Sequence, residues 1–291
     1  MQAQTTILPE TSAIKYEVRE FRDVSYRTYR AELRLLRLQL LLLQEWAAEQ
    51  GQRIAIVLEG RDAAGKGSTA SGITHYLNPK FVTVVEQGIP SAKQMRNWLG
   101  THYRQLPTPG QMTIFDRSWY SRALIQPVMG YCTMRQYNYF MNRVNDWERD
   151  VIDEGIHLLK IYLSVSREAQ DMRFRLRENS ELQYWKYSST DRMAAERWHM
   201  ITYFKERMFA VTSTDYAPWI VIESDNKHQA RLNVFHYILS QFEYDGKNLS
   251  LESIQPQANG HYFTDMIVDG VLFKDMDPDQ VEVLERILMH E

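Results

Sequence analysis

Apolar positions along this chain change period several times, and each change marks an element. From Lys15 to about Gln50 the repeat is helical. Leu33, Leu36, Leu40 and Leu43 follow steps of three, four and three and share one face, which Leu35, Leu38, Leu41 and Leu42 widen. Such a helix packs on a core, and a face this wide also allows pairing with a second subunit. Residues 1–14, small and polar around Pro9, read as frayed. Arg53 to Glu59 is a short, nearly continuous apolar run closing on Gly60, the pattern of a strand buried on both faces. Runs of the same kind recur at Phe81–Glu86, Met112–Asp116, Leu158–Leu163 and Trp219–Glu223. Five buried strands alternating with helical stretches predict an α/β fold, a five-stranded parallel sheet between helices.

Between the fourth and fifth strands, Arg167 to Met208 is charged and helical in composition, a candidate lid, with Trp185 and Tyr187 as packing residues. After Tyr244 the residues Gly246, Pro256 and Gly260 punctuate a tail, and Asp279 to His290 predicts a short terminal helix. The expected organisation is a helical extension over 1–50, a core over 51–244 containing a lid at about 167–208, and a tail over 245–291.

Composition narrows the class. With 291 residues and 44% hydrophobic positions, a sizeable core is easily built. A single cysteine, Cys132, excludes an internal disulfide framework and a cysteine-rich zinc site. No run of apolar residues approaches a membrane span, and the N-terminus lacks a signal-peptide pattern, so a cytoplasmic protein without a membrane partner is expected. The net charge of −3 argues against a nucleic-acid coat. That average hides an acidic tail: from Asp245 onward ten acids and three bases give −7, leaving +4 on the rest. A mildly basic body suits an anionic ligand. His75, His102, His157, His199 and His228 form no metal-ligand spacing.

The chemistry begins at Gly60-Arg61-Asp62-Ala63-Ala64-Gly65-Lys66, which fits G-x-x-x-x-G-K between a predicted strand and a helix over Ser68 to Leu77. Glycines let successive backbone N–H groups turn toward phosphate oxygens, the following helix adds its positive end, and Lys66 supplies a point charge. The usual motif continues with a Ser or Thr whose hydroxyl holds magnesium. Here that position is Gly67, and Ser68 follows. An acid inside the cradle, Asp62, would repel phosphate unless a cation lies between them. Asp62 is therefore expected to bind metal or to orient an attacking phosphate; a turn cap is the structural alternative. The second signal is Met112 to Asp116 followed by Arg117-Ser118-Trp119-Tyr120-Ser121-Arg122. A strand ending in Asp is the Walker-B arrangement, so Asp116 and Asp62 are the expected holders of Mg2+, with an N-cap as the alternative for Asp116. Arg117 and Arg122 suit transferring phosphates, since guanidinium matches their oxygens in pairs. In the lid, Arg173 and Arg177 share a helix face that suits an anion from above, or else a solvated face paired with Glu178 and Glu181.

Gly60 to Gly67, Phe115 to Arg122 and Ser213-Thr-Asp-Tyr-Ala-Pro-Trp219 together resemble the polyphosphate kinase 2 family, from about Lys15 to Tyr244. The resemblance implies a thymidylate-kinase-like P-loop kinase fold with a helical lid, in homo-oligomers. It implies phosphoryl transfer between inorganic polyphosphate and nucleoside phosphates with magnesium. Carried over by position, Asp62, Lys66, Asp116 and Arg117 are the expected catalytic core. Arg122 and Arg177 are expected polyphosphate or transition-state contacts. Glu59-Gly-Arg, Val128-Met-Gly and Ala230-Arg-Leu-Asn look most like the subfamily that phosphorylates nucleoside diphosphates. Two departures stand out. Ser68 replaces a common glycine, and Leu182-Gln-Tyr-Trp-Lys186 lacks two basic residues usual in the lid.

The expected reaction is direct in-line transfer, since no His or Cys stands in the motifs as a nucleophile. An ATP-dependent nucleoside monophosphate or small-molecule kinase would use the same loop and lid. A nucleotide-binding switch module is the alternative outside catalysis, favoured by the leucine-rich helix.

Overall fold

The structure, a computed structural model, describes residues 3–7, 12–182, 184, 189–249, 264–268 and 271–276. It divides into two compact units, Met1–Leu251 and Glu252–Glu291. In the first, the strands are β1 (Ala3–Ile7), β2 (Ile14–Val18), β3 (Arg53–Gly60), β4 (Val82–Glu86), β5 (Met112–Asp116), β6 (Ile156–Ser164) and β7 (Trp219–Glu223). The helices are α1 (Tyr26–Glu49), α2 (Lys66–Thr74), α3 (Ala92–Arg96), α4 (Trp98–Tyr103), α5 (Ile125–Met129), α6 (Met134–Asp153), α7 (Arg167–Glu178), α8 (Ser189–Glu196), α9 (Trp198–Thr212) and α10 (Lys227–Ser240). The second unit contains an antiparallel pair, β8 (Thr264–Val268) with β9 (Val271–Met276). The terminal helix expected over Asp279–His290 lies outside the described residues, as do Trp185 and Tyr187.

The sheet runs in the order β1-β2-β7-β6-β3-β5-β4. All five expected strands are present, neighbouring and parallel. Two more extend the edge: β2 pairs parallel to β7, and β1 pairs antiparallel to β2. The frayed start is thus partly strand, and the first long helix begins at Tyr26 rather than Lys15, capped by Ser25 accepting from Thr28 N.

Strand residues alternate between two apolar layers, which explains why their sequence shows no polar face. Ile54, Ile56 and Leu58 of β3 pack with the Leu33, Leu36, Leu40 and Leu43 row of α1 and with Leu232 and Phe235 of α10. Ala55 and Val57 point into the other layer, with Phe140 and Val144 of α6 and Phe204 and Met208 of α9. The leucine row is therefore core. No helix of the described residues is long and apolar enough to cross a membrane.

Parallel register brings the C-terminal ends of β3, β5 and β6 side by side: Leu58 pairs with Asp116 and Gly60 with Leu163. Ligands in open α/β sheets bind beyond such ends.

Candidate active site

The chain leaves β3 through a turn that only certain residues permit. At Gly60 φ is +148°, and a Cβ there would stand 2.5 Å from the Leu163 carbonyl oxygen. Gly65, at φ +107°, caps α2. Ala63 is held left-handed at φ 62°, a strain of about 1–2 kcal/mol for a residue with a Cβ. These turns bend 60–65 around the start of α2, whose first-turn N–H groups have no partner within the helix and suit an anion.

Lys66 lies under this loop, buried, its Nζ donating to the Gly60 carbonyl at 2.8 Å and the Arg61 carbonyl at 3.0 Å. Burial pushes its ammonium pKa down and Arg117 adds to that, while Asp62, Asp116 and Glu59 oppose it. Arg117 follows β5 with φ 64°, a left-handed backbone that aims its side chain across the loop to an ion pair with Asp62. Burial lowers the Arg117 guanidinium, but Asp62, Glu59 and Asp116 together outweigh it and hold the charge in place. The expected catalytic four thus converge.

Asp116 settles against α2. A Cβ added at Gly67 would lie 2.9 Å from Asp116 Oδ2. The space a Ser or Thr would occupy at that position is filled by the carboxylate. The described residues hold no cluster of three or more His, Cys, Asp or Glu side chains fit for a metal. Magnesium needs fewer: one or two carboxylates suffice when phosphate oxygens and water complete its shell. Asp62 and Asp116, hard oxygen donors that both act on the Lys66 charge, fit that requirement. Ser68 instead donates its hydroxyl to the Gly65 carbonyl at 2.9 Å.

Three arginines are placed differently from the sequence expectation. Arg61 turns to α9: Nη1 and Nη2 each donate to Trp198 O at 3.2 Å, Nη2 donates to Thr202 Oγ1 at 2.6 Å, and the guanidinium lies 3.5 Å from the Trp198 ring centroid. It ties the loop to the lid helix, so only its backbone is left for phosphate. Arg173 is buried, donating to Ala63 O at 2.8 Å, to Ser224 O and to Asp225 O at 2.9 Å. It braces loop against sheet, with its donors occupied by carbonyls. Arg122 is also buried, its guanidinium 4.8 Å from the Trp98 ring centroid and Nη2 3.4 Å from Met95 Sδ. Arg177 is half-buried and forms no ion pair among the described residues.

Two residues escaped the sequence reading. Glu59, buried at the end of β3, accepts from Ser118 N at 2.8 Å and Ser118 Oγ at 2.9 Å. It clamps the turn after Arg117 to the strand that feeds the loop. Burial raises its pKa to about 7, against the opposing pull of Lys66, Ser118 and Arg117. One charged residue in an apolar run was the available signal. Gln170 of α7, whose Nε2 donates to the Asp62 carbonyl at 2.7 Å, gave none.

Two hollows meet at the Asp62–Arg117 pair. One is lined by Glu59, Gly60, Leu124 and Ile201 among others. The second opens beside Gln87, Gly88, Pro90, Ser121, Gln126 and Tyr131. Both include Asp62, Arg117 and Ile125.

A parallel sheet, a glycine-bounded phosphate loop and a strand-end carboxylate define a P-loop kinase fold, and the class is a phosphotransferase. The chain matches the polyphosphate kinase 2 family over residues 23–250 and belongs to it; it is a polyphosphate kinase by family. It is 42% identical over 228 residues to NDP-polyphosphate phosphotransferase 2 of Ruegeria pomeroyi, covering 78% of this chain and 66% of that one. It is 41% identical over 221 residues to the GDP-polyphosphate phosphotransferase of Mycolicibacterium smegmatis, covering 76% of this chain and 78% of that one. The crystal structure of polyphosphate kinase 2 from Arthrobacter aurescens TC1 superposes with a TM-score of 0.71 at 26% identity, covering 79% of this chain and 86% of that one.

Proposed function

We propose that this chain transfers a phosphoryl group between inorganic polyphosphate and a nucleoside diphosphate, ADP or GDP, giving ATP or GTP with Mg2+ by direct in-line displacement. The observation that carries this reading is the convergence of Lys66, Arg117, Asp62 and Asp116 at the phosphate loop, where the Asp62–Arg117 pair lines two hollows. Membership of the family and the nucleoside-diphosphate names of its relatives support the choice of substrates.

In this reading the backbone N–H groups of Gly60–Ser68 cradle one phosphate chain. Lys66 exchanges its bonds to the Gly60 and Arg61 carbonyls for bonds to phosphate oxygens. Arg117 leaves or shares Asp62 to neutralise the group in flight. Asp62 and Asp116 would hold the metal, which would supply charge neutralisation to the phosphates. Arg61 and Arg173 position the loop, and α7 to α9 form the lid over a core spanning 51–244, with Arg177 as a lid cation that makes no ion pair among the described residues. Catalysis is then mostly positioning and fixed charge. A cytoplasmic homo-oligomer is the setting we infer, with exposed Met200 and Tyr203 on α9 as apolar contacts for a second copy.

The test is incubation of the protein with ADP or GDP, polyphosphate and magnesium, with no other donor. ATP or GTP formation over many turnovers is expected. Transfer from ATP to a monophosphate without any use of polyphosphate would favour the nucleotide-kinase alternative.

A further inference from the structure

Away from the phosphate cradle, α1 carries Arg27, Arg30, Arg34 and Arg37. Their steps of three, four and three place them along one face, beside the buried leucine row. Between Tyr26 and Leu43 the one acid is Glu32, two positions from Arg34 and so nearly opposite the stripe, and it is buried. Neighbouring elements add to this face. Arg231 of α10 donates Nη1 to Tyr29 OH and lies over Gly72 of α2, where a Cβ would stand 3.1 Å from Arg231 Nε. The Arg37 guanidinium lies 5.1 Å from the ring centroid of Tyr76, just beyond α2.

The cations here press on one another. The Nε atoms of Arg37 and Arg231 are buried with no hydrogen-bond partner among the described residues. Burial lowers the Arg37 guanidinium, and Arg231 and Arg30 push in the same direction against Tyr76 and Tyr29. His228, stacked 4.0 Å from Tyr29, is lowered by burial and then by Arg231 and Lys227. A fold that gathers like charges and leaves buried N–H groups unpaired is set to receive an anion. The face also connects to the cradle. Arg173 joins the Ala63 carbonyl of the loop to the Asp225 carbonyl just before α10. Lys227 therefore begins at the rim, Arg231 follows one helical turn later, and Arg37 lies next to it.

We propose that this face of α1, α2 and α10 is a second anion track, holding the unreacted length of a polyphosphate chain whose end lies in the cradle. The inference rests on the function proposed above. A linear phosphate chain offers the repeated oxygens that a row of guanidiniums matches. The α2 helix separates cradle from track by roughly 14 Å for its nine residues. A long chain bridges that distance, and tripolyphosphate ends before it.

The experiment compares wild type with Arg34→Gln/Arg37→Gln/Arg231→Gln, using one nucleoside diphosphate and either long-chain polyphosphate or tripolyphosphate. The expected result is a KM for the long chain raised roughly tenfold or more and less sensitive to salt, with kcat, nucleotide KM and tripolyphosphate KM unchanged. An unchanged long-chain KM, or equal rises for both donors, overturns the track. Arg27→Gln/Arg34→Gln, at exposed positions, replaces the triple variant if that one unfolds. Wild type inactive with both donors sinks the function proposed above instead. The track is then judged by direct binding of long-chain polyphosphate without nucleotide, where equal affinity of wild type and variant overturns it. Tighter binding of single-stranded RNA than of polyphosphate overturns the choice of ligand.

Discussion

Gly67 and Asp116 share one space: a Cβ on the first would stand 2.9 Å from Oδ2 of the second. The carboxylate from β5 lies beside the position where other phosphate loops carry a hydroxyl on the helix itself. Gly67→Ala should therefore push Asp116 out of position. The rate of transfer should fall by about 10- to 100-fold, as for a misplaced catalytic group. Thermal stability should hold or rise slightly, since alanine favours a helix. Unchanged kcat in this variant would show that Asp116 works without this contact.

Behind the site, Lys160 donates to Glu148 at 2.7 Å, to Tyr120 OH at 3.1 Å and to Thr212 O at 2.7 Å, while Trp119 Nε1 donates to Glu148 at 3.0 Å. Both charged side chains are fully buried. Glu148→Ala leaves a buried ammonium without its partner and should cost about 3–5 kcal/mol. Adding Lys160→Met should restore much of that. Chemical denaturation of the single and double variants checks it, and additive losses would contradict the pairing.

Glu59 makes stability depend on pH. Its carboxyl is raised from 4.5 to about 7, chiefly by burial. The folded state therefore holds the proton more tightly than the unfolded chain. The resulting stability is fully present below about 4.5 and is lost as pH rises through about 7. Glu32, also raised to about 7 by burial, acts with the same sign. Glu59→Gln should flatten its share, on the order of 3 kcal/mol across that window, and leave the part due to Glu32. An unaltered pH profile in denaturation would contradict the burial assigned to Glu59.

Arg177 differs from Arg173, whose carbonyl partners hold it, in donating to no carbonyl among the described residues. Arg177→Ala should slow turnover by roughly tenfold or more while shifting Tm little. Arg173→Ala should do the reverse first, lowering Tm by releasing Ala63, Ser224 and Asp225. Turnover untouched by Arg177→Ala would return that residue to a solvated surface.

Much of this was legible in the sequence, and the rest was hidden for definite reasons. Strands β3, β5, β6 and β7 announce themselves because burial leaves a nearly unbroken apolar run, whereas β4, also expected to be buried, is the sheet's edge and largely open, with Val84 exposed. The phosphate loop is legible because its chemistry depends on backbone geometry that only Gly60 and Gly65 allow. Strand β2 was missed although Ile14, Tyr16 and Val18 alternate, because five residues preceding a long helical pattern look like its continuation. Its partner β7 lies some 200 residues away in sequence. The arginines were legible as cations but not as ligands. Which neighbours a guanidinium has, carbonyls for Arg173 and an indole for Arg122, is supplied by folding alone.

The central claim is that the cradle and its strand-end carboxylate carry out phosphoryl transfer. The most direct measurement is the initial rate of ATP or GTP formation from the nucleoside diphosphate, polyphosphate and magnesium, wild type against Asp116→Asn. The account predicts a folded variant slowed by at least ~100-fold, the scale of losing a preorganised charge-stabilising group. A near-normal rate in a variant of unchanged stability would contradict it.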